Sequence, residues 1–523
     1  MIAEKVSVAG AGDRGDKNRG NVALVGWLGV FASFCILYLF TLAPDLVWQD
    51  QGDYQYQVAK CNLSRPGDVV RVHPLFIVTA HGLGRLGPWN YAYAANLTSA
   101  LFTAVTVANI FLLVFALTGR TWPGILSALV CGLAHSIWFL GVQAQTYSMA
   151  NAAWTGCLLC CLAYLNTNRA GYLYLMGFIA GLGLSAHMMS QVGFVVIMAW
   201  LLIRVIRKKL TFVTYGILLA CWVIGAALLW YVIVLEYHRS GNLGATLLSA
   251  VYGKWGSAVF NVGQLSALIK KSFMFFLLNF PTPLLLLAGP GLWYSIKSIK
   301  PGNFAGLLAV SALAYALFAA RYDVPNQNNF FLPFYLLIGI YVGLGFVAVS
   351  QSHPRRWTII TLILVLAIPP AYPVFAKTAE AKQVALGTRR HIPYRNVYQY
   401  YLIPWQQGQT GPRRLAEEVI AVLPDDAVLL PDSTVIPAFQ YALEIEGKRP
   451  DIQLKKIYLS QDELRLDLAA GRRVFTFSNV KRYYPPSIPT PDWLSPFEIS
   501  ESEHIFEISI PGEKESLERT LNG

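Results

Sequence analysis

The stretch Asn21-Val-Ala-Leu-Val-Gly-Trp-Leu-Gly-Val-Phe-Ala-Ser-Phe-Cys-Ile-Leu-Tyr-Leu-Phe-Thr-Leu-Ala-Pro44 decides the fold class. It holds no charged residue and, as a helix, is long enough to cross about 30 Å of hydrocarbon. A cleaved signal peptide has an apolar core of about 7–15 residues ending at a small-residue cleavage site. This run is longer and ends in Thr41-Leu-Ala-Pro44, so an uncleaved transmembrane helix is expected. The polar, basic, Gly-rich segment 1–20 before it is expected to be disordered and cytoplasmic.

Working outward, comparable apolar runs lie near 91–118, 122–140, 147–165, 172–187, 190–206, 211–235, 271–295, 304–320, 330–349 and 357–375. A polytopic α-helical membrane protein with about eleven transmembrane helices follows. A single fused helix over 172–206 is the alternative that would invert everything after it. Apolar residues make up 55% of the 523 and charged residues 13%, about half the ~25% of soluble domains, so soluble and disordered readings are out. The net charge of +12 is no nucleic-acid signal. Residues 1–376 carry 23 Lys/Arg against 9 Asp/Glu, whereas residues 377–523 carry 18 against 20. The excess sits where it orients helices. With the N-terminus inside, Arg120, Arg169, the Arg204/Arg207/Lys208/Lys209 cluster, Lys297/Lys300 and Arg355/Arg356 all fall on the cytoplasmic side. The loop 45–90, the turns 144–147 and 187–190, the loops 237–268 and 321–329, and the tail then share the outer side. Short motifs at such a face are where chemistry is expected.

The tail, 377–523, reads as a small α/β domain. It has a helix near 412–423, a strand at Ala427–Leu430, an amphipathic run over 436–446, and strands at Lys456–Leu459 and Val474–Phe477. A capping box, Ser460-Gln-Asp-Glu463, opens a helix that Gly471 closes. The seven cysteines suggest no disulfide framework, and Cys157-Leu-Leu-Cys160-Cys161 lies in an apolar helix without histidine, as packing residues do. Sequons stand at Asn62 and Asn96.

Between Val69 and Ala376 there are only two acids, Glu236 and Asp323. Against that scarcity, Trp48-Gln-Asp50-Gln-Gly-Asp53-Tyr54 stands out just beyond the first span. On a helix, Asp50 and Asp53 share a face. A partly desolvated carboxylate there has a raised pKa and can serve as a general base; a solvated orienting loop is the plain alternative. The same loop runs on through Arg65, Asp68, Arg71 and His73. Arg71 and His73 suit a phosphate, while Arg65 and Arg85 equally suit lipid headgroups. The stretch 74–87 is too short to span and is expected to lie at the interface. Gln143-Ala-Gln145-Thr-Tyr147, His187, and Arg321-Tyr322-Asp323-Val-Pro-Asn326 supply further polar groups at the same face. They suit sugar hydroxyls and phosphate oxygens.

The order of these motifs resembles one family. Trp48-Gln-Asp-Gln-Gly-Asp-Tyr54, Val72-His-Pro-Leu-Phe76, Asn96-Leu-Thr-Ser-Ala-Leu101, Gln143-Ala-Gln-Thr-Tyr147 and Gly181-Leu-Gly-Leu-Ser-Ala-His187 are similar to segments of the GT-C glycosyltransferases related to transmembrane protein 260. Tyr322-Asp-Val-Pro and Pro424-Asp-Asp-Ala-Val-Leu-Leu430 look like later segments of that family. The resemblance covers most of 21–460. It implies a GT-C membrane domain over 21–376, with a catalytic first outer loop at 45–90; with the tail read above, the expectation is a bacterial inner-membrane protein with a periplasmic α/β domain over 377–523. It also implies inverting transfer of a monosaccharide from a polyprenyl-phosphate-linked donor to a hydroxyl of a protein, lipid or glycan acceptor. Asp50 and Asp53 fall on the family's paired acids, and Gln145 replaces a family glutamate. Asp50 would be the base, with Asp53 assisting. Arg71, His73, Gln145, Tyr147, His187, Arg321, Tyr322, Asp323 and Asn326 would bind the donor's phosphate or sugar. A divalent cation is compatible with the pair of acids, but two carboxylates are a thin site and no metal is assigned. Transport or flipping of a lipid-linked sugar is the competing class; it usually brings mid-membrane ionisable groups and inverted repeats.

Overall fold

The computed structural model describes residues 13–253, 265–299, 303–322, 324, 326–386, 392–457 and 459–510. Within them a helical bundle carries a small mixed sheet at one end. The first four helices are α1 (Asp13–Phe40), α2 (Gln49–Lys60), α3 (Pro74–Leu86) and α4 (Tyr91–Thr118). The first begins inside the segment expected to be disordered: residues 13–20 are helical, and residues 1–12 lie outside the described residues. Extending an established helix adds one hydrogen bond per residue fixed, so the apolar span carries its polar lead-in along.

Among the described residues six helices are long and apolar enough to cross a membrane: Asn18–Phe40, Tyr91–Thr118, Tyr147–Thr167, Phe304–Arg321, Gln327–Val349 and Pro354–Ala381. Three bent pairs raise this to nine if each is one span. They are Thr121–Gly132 with His135–Gly141 (68°), Phe212–Gly225 with Ala227–Ser240 (62°), and Ser266–Asn279 with Pro283–Ser298 (106°). The shorter helices Gly171–Ala186 and Ser190–Ile206 would both have to cross as well to reach eleven. The fused helix over 172–206 does not form, because His187 leaves the helix in an extended conformation (φ −166°, ψ 132°). α4, with the spans Tyr147–Thr167 and Gln327–Val349, is largely enclosed, whereas α1 exposes Val25, Ile36 and Phe40 as a lipid-facing helix does.

Small residues set the crossings. A Cβ on Gly181 would sit 2.2 Å from the Trp222 carbonyl oxygen, and one on Gly225 would sit 2.1 Å from that of Phe178. Gly291 and Gly345 do the same between Ala288–Ser298 and Leu332–Val349. Without a hydrophobic drive in lipid, such backbone approach is what holds helices together.

The tail sheet has the order β2-β1-β3-β5-β4, with β1 Val428–Leu430, β2 Gln453–Leu454, β3 Val474–Thr476, β4 Leu494–Ser500 and β5 Glu503–Ile508. The β1–β2 and β1–β3 pairs are parallel; β3–β5 and β4–β5 are antiparallel. The expected helix opened by the capping box is present at Gln461–Ala469, and Gly471 follows in the left-handed region (φ +75°). The strand expected at Lys456–Leu459 is instead the two-residue β2, three residues earlier; Tyr458 lies outside the described residues. The 436–446 run forms a helix at Ile436–Gln440 that widens to a π-turn over Tyr441–Ile445. The β4–β5 hairpin was not legible, its alternation being broken by Pro496 and by charged positions on the exposed face.

One apolar cluster joins Leu46, Trp48 and Ala92 to Leu415, Val419, Phe439 and Phe475. The tail core is therefore continuous with the segment that follows α1.

Candidate active site

Asp50 lies in the first turn of α2, and its position is fixed by buried amides. Gln55, fully buried, accepts from Val47 N (3.0 Å) and donates to the carbonyls of Asp45 (3.0 Å) and Ala92 (3.2 Å) and to Asn96 Oδ1 (3.0 Å). Asn96 donates in turn to the Ala43 carbonyl (2.9 Å), and its oxygen accepts from Ala144 N (2.9 Å). An amide buried with all partners satisfied locks geometry, because losing one partner leaves an unpaired polar group in a low dielectric. Asn96 is thus a structural knot and not an exposed sequon. Gln55 carried no chemical signal in the sequence, and Asn96 was marked only as a sequon and as part of the family-like segment Asn96–Leu101.

The tail holds α2 from the other side. Gln49, with φ +60°, donates its backbone N–H to the Thr434 carbonyl (3.0 Å), and its side chain accepts from Tyr401 (3.2 Å). A non-glycine residue in the left-handed region directly before an acid is a place where structure pays for position. Gly52 has no room for a side chain: a Cβ would lie 2.4 Å from the Val47 carbonyl oxygen and 2.8 Å from Pro437 Cβ. Lys60 and Tyr56 both bond Glu444, and Arg413 bridges Asp45 (2.5 Å) and Glu446 (2.7 Å).

Around Asp50 the charges converge. Arg71 Nη2 donates to Asp50 Oδ1 (3.3 Å) and stands 3.8 Å from Asp53 Oδ2, while Arg65 pairs closely with Asp53. Asn326, 276 residues away in sequence, donates to Asp50 Oδ2 (3.1 Å). Asp50 and Asp53 do share one face of α2, as the spacing predicted. The Asp50 side chain keeps 46% exposure. Desolvation nonetheless raises its pKa above the ordinary carboxylate value; Arg71 opposes this, the Asp53 charge adds to it, and Asn326 pulls it back only partly. A basic yet accessible carboxylate results. Arg65, first read as equally a headgroup contact, is the partner of Asp53.

The histidines behave differently from the expectation that they neutralise a phosphate. His73 is buried and stacks on His187 (4.8 Å between ring centres, 12°), with Tyr147 (4.4 Å) and Tyr54 (5.4 Å) against the pair. Burial, then the neighbouring positive groups, lowers His73 well below the usual imidazole value; burial alone takes His187 to about 3. Two stacked cations in one buried site are excluded electrostatically, so both rings are neutral and contribute shape and ring contact. Tyr322 packs on Phe330 (4.5 Å, 75°), which also meets Tyr147 and His187 and closes that aromatic wall. Gln145 is buried with Oε1 lacking a hydrogen-bond partner. Arg321 ends the Phe304–Arg321 helix. Asp323 lies outside the described residues.

Beneath this end of the bundle runs an apolar cavity of about 690 Å³. Leu75, Phe102 and Met149 line it and also pack with Tyr54 on the site-facing side; Leu24, Trp27, Asn109 and Leu159 line it deeper in. For a metal the residues fit poorly. Among the described residues no three His, Cys, Asp or Glu side chains group around one point, and a cation on Asp50 and Asp53 would have to displace Arg71 or Arg65.

Comparison with known proteins bears on the fold. Residues 72–211 match the family described as the protein O-mannosyl-transferase TMEM260 N-terminal domain. The mouse protein O-mannosyl-transferase TMEM260 is 24% identical over 473 residues, covering 83% of this chain; the chain spans only 62% of that relative's length. The crystal structure of ArnT from Cupriavidus metallidurans, bound to undecaprenyl phosphate, superposes with TM-score 0.59 at 12% identity, over 93% of this chain and 98% of ArnT. The mycobacterial arabinofuranosyltransferase AftD gives TM-score 0.50 at 12% identity, over 90% of this chain and 37% of AftD. The fold is of the GT-C type, in a multi-pass membrane protein, and the resemblance read from motif order holds.

Proposed function

We propose that the protein is a membrane glycosyltransferase that moves a monosaccharide from a polyprenyl-phosphate-linked donor to a hydroxyl of a protein, lipid or glycan acceptor, with inversion. One observation carries the reading: a carboxylate of raised basicity, flanked by Arg71 and Asn326, lies on the same helix as Tyr54, which packs with Leu75, Phe102 and Met149 of the apolar cavity. The similarity to a protein O-mannosyl-transferase and the GT-C fold support it.

In the proposed step the acceptor oxygen attacks the anomeric carbon opposite the phosphate. The bond from that carbon to the phosphate oxygen breaks, the hydroxyl proton passes to Asp50, and the lipid phosphate leaves. Displacement from the rear face inverts the centre. Arg71 and Arg321 are assigned to the charge that builds on the leaving phosphate, the kind of stabilisation that usually contributes most. His73, His187, Tyr147 and Tyr322 form a neutral aromatic wall suited to a sugar ring, with Gln145 at its base. Asp53, held by Arg65, orients Arg71. The lipid chain is assigned to the cavity. We place the tail, residues 377–523, and the 45–90 loop on the periplasmic side of an inner membrane and the N-terminus in the cytoplasm.

Transport is disfavoured by the placement of charge. Among the described residues from Val69 to Ala376 the acid is Glu236, one turn from the end of its helix, where it holds Gly67 N (2.9 Å) and Arg239. The test is single-turnover transfer from a defined polyprenyl-phosphate sugar by the purified chain and by Asp50→Asn. Transfer that disappears with the carboxylate supports the reading; lipid or ion flux without transfer would replace it with transport.

A further inference from the structure

The tail holds a buried cation with two donors that have no hydrogen-bond partner among the described residues. Arg395 is 9% exposed, and its Nε and Nη1 are buried without a hydrogen-bond partner. Its guanidinium lies over the rings of Tyr400 (5.6 Å) and Tyr401 (5.5 Å). Ring faces attract a cation but satisfy no N–H in the plane of the guanidinium. Arg413, Arg449, Arg472 and Arg473, all in the same tail, each hold a carboxylate. A guanidinium taken out of water with donors unused is costly unless something completes it.

The backbone is shaped to bury it. Tyr394, the preceding residue, is in the left-handed region (φ +62°), and Arg395 N closes a turn on the Ile392 carbonyl (3.2 Å). Tyr394 is itself anchored: its hydroxyl bonds Glu418 and Ser500 (3.1 Å), and Arg414 stacks on its ring (4.1 Å). A second unanswered donor lies nearby. Trp48 is 1% exposed with its indole N–H unpaired, and its ring and the Tyr394 carbonyl both close on the Cα of Gly411.

Arg395 connects to the site through single contacts. Tyr401, beneath it, donates to Gln49, the residue before Asp50; Tyr400 donates to Gln143 (3.3 Å). This is the tail side of Asp50. The apolar cavity opens on the opposite side, between α1, α3, α4 and the helices Tyr147–Thr167 and Gly171–Ala186.

We propose that Arg395 binds an anionic group, a carboxylate or phosphate, carried by the acceptor substrate, and that the tail thereby selects acceptors. The assignment to the acceptor rests on Asp50 being the base that deprotonates it; the anion site itself does not.

The test uses the full chain in nanodiscs, in an Arg71→Gln, Arg321→Gln background that removes the two guanidiniums assigned to the donor phosphate. The probes are acetate, inorganic phosphate and undecaprenyl phosphate, and the readout is the heat-unfolding midpoint from tryptophan fluorescence. Acetate or phosphate should raise the midpoint saturably, half-maximally on the order of 1 mM, as one charge-assisted site provides. The stronger of the two responses identifies the anion. Arg395→Met should weaken that response at least ten-fold, and Arg395→Lys should keep part of it. Without anion, Arg395→Met should unfold no earlier than its parent, since it removes an uncompensated charge. No small-anion response in the parent, or one that survives Arg395→Met, would overturn the site. An early-unfolding Arg395→Met would show a structural cation held by the two tyrosines, and would overturn it too. If Arg395→Met instead weakened only the undecaprenyl phosphate response, the group would belong to the donor and the acceptor assignment would fall. None of these readouts needs glycosyl transfer, so a failed transfer reading is seen separately, in the Asp50→Asn assay.

Discussion

Asp50 and Asp53 have the same chemistry and unequal surroundings, which assigns them unequal work. Asp53 is closed off by Arg65, whereas Asp50 keeps an open oxygen edge beside Arg71 and Asn326. Asp50→Asn preserves shape but removes basicity. It should cost roughly 10²–10⁴ in single-turnover rate, with donor binding retained. Asp53→Asn should cost about ten-fold, since it only loosens Arg71, about 1.4 kcal/mol of transition-state stabilisation. An inactive Asp53→Asn beside an active Asp50→Asn would exchange the roles. The base must be ionised, so the rate should fall on the acid side at a pH above the ordinary carboxylate value, because the Asp50 pKa is raised. His187 gives a stability signal of opposite origin. Its folded value of about 3 lies below the unfolded 6.5, so between those limits the unfolded chain binds more protons. Stability should therefore rise with pH from about 3 to 6.5 and level off above. His187→Gln should flatten that slope in a pH series of heat-unfolding midpoints; an unchanged slope would mean that the ring is already protonated in the folded protein.

The helix α2 carries the acids but does not place itself. It is gripped by the Gln55–Asn96 amides on the bundle side, by Thr434 and Pro437 at its start on the tail side, and by Glu444, which bonds Tyr56 and Lys60, at its end. Gly52→Ala tests that grip without touching a charge. The added methyl meets a carbonyl oxygen 2.4 Å away that belongs to the backbone and cannot swing aside. Transfer should fall at least ten-fold while the lipid-phosphate response persists; a near-native rate would show that the seam between α2 and the tail tolerates a shift. Arg413→Met removes the link from Asp45 to Glu446, leaving Asp45 only its bond from Asn90 and Glu446 only Lys448, and should destabilise by about 1–3 kcal/mol in heat or denaturant unfolding. A loss below a few tenths would mean that water already shares the bridge. The helical spacing of Asp50 and Asp53 and the capping box at Ser460 were legible because each is local. The short β2 and the hairpin β4–β5 were not, because pairing across a sheet overrides two- and three-residue patterns.

At the scale of the molecule, the sides of the membrane are the open variable. Gln51 is too buried to report on them, being 6% exposed. Ser64 and Ser502 are exposed on the first loop and the tail, and Lys208 on the opposite set of connections. With Cys61 replaced by Ser, Ser64→Cys and Ser502→Cys should react with an impermeant maleimide on intact cells, and Lys208→Cys only after permeabilisation. Reaction of the first two from opposite faces would break the proposed topology. Hydropathy alone determined that the chain is a bundle of membrane helices, since a continuous apolar run of about 20 residues satisfies its own backbone in lipid as a helix. The order of short polar motifs was enough to mark its likeness to a glycosyltransferase family and to single out Asp50. Only the tertiary structure decided what those residues do for one another. Asn326 reaches Asp50 across 276 positions, Arg65 takes Asp53, the histidines stack as neutral rings, and Arg395 is left buried with unused donors. Charge, basicity and pairing depend on what lies within a few ångströms in space, and distance along the chain carries almost none of that information.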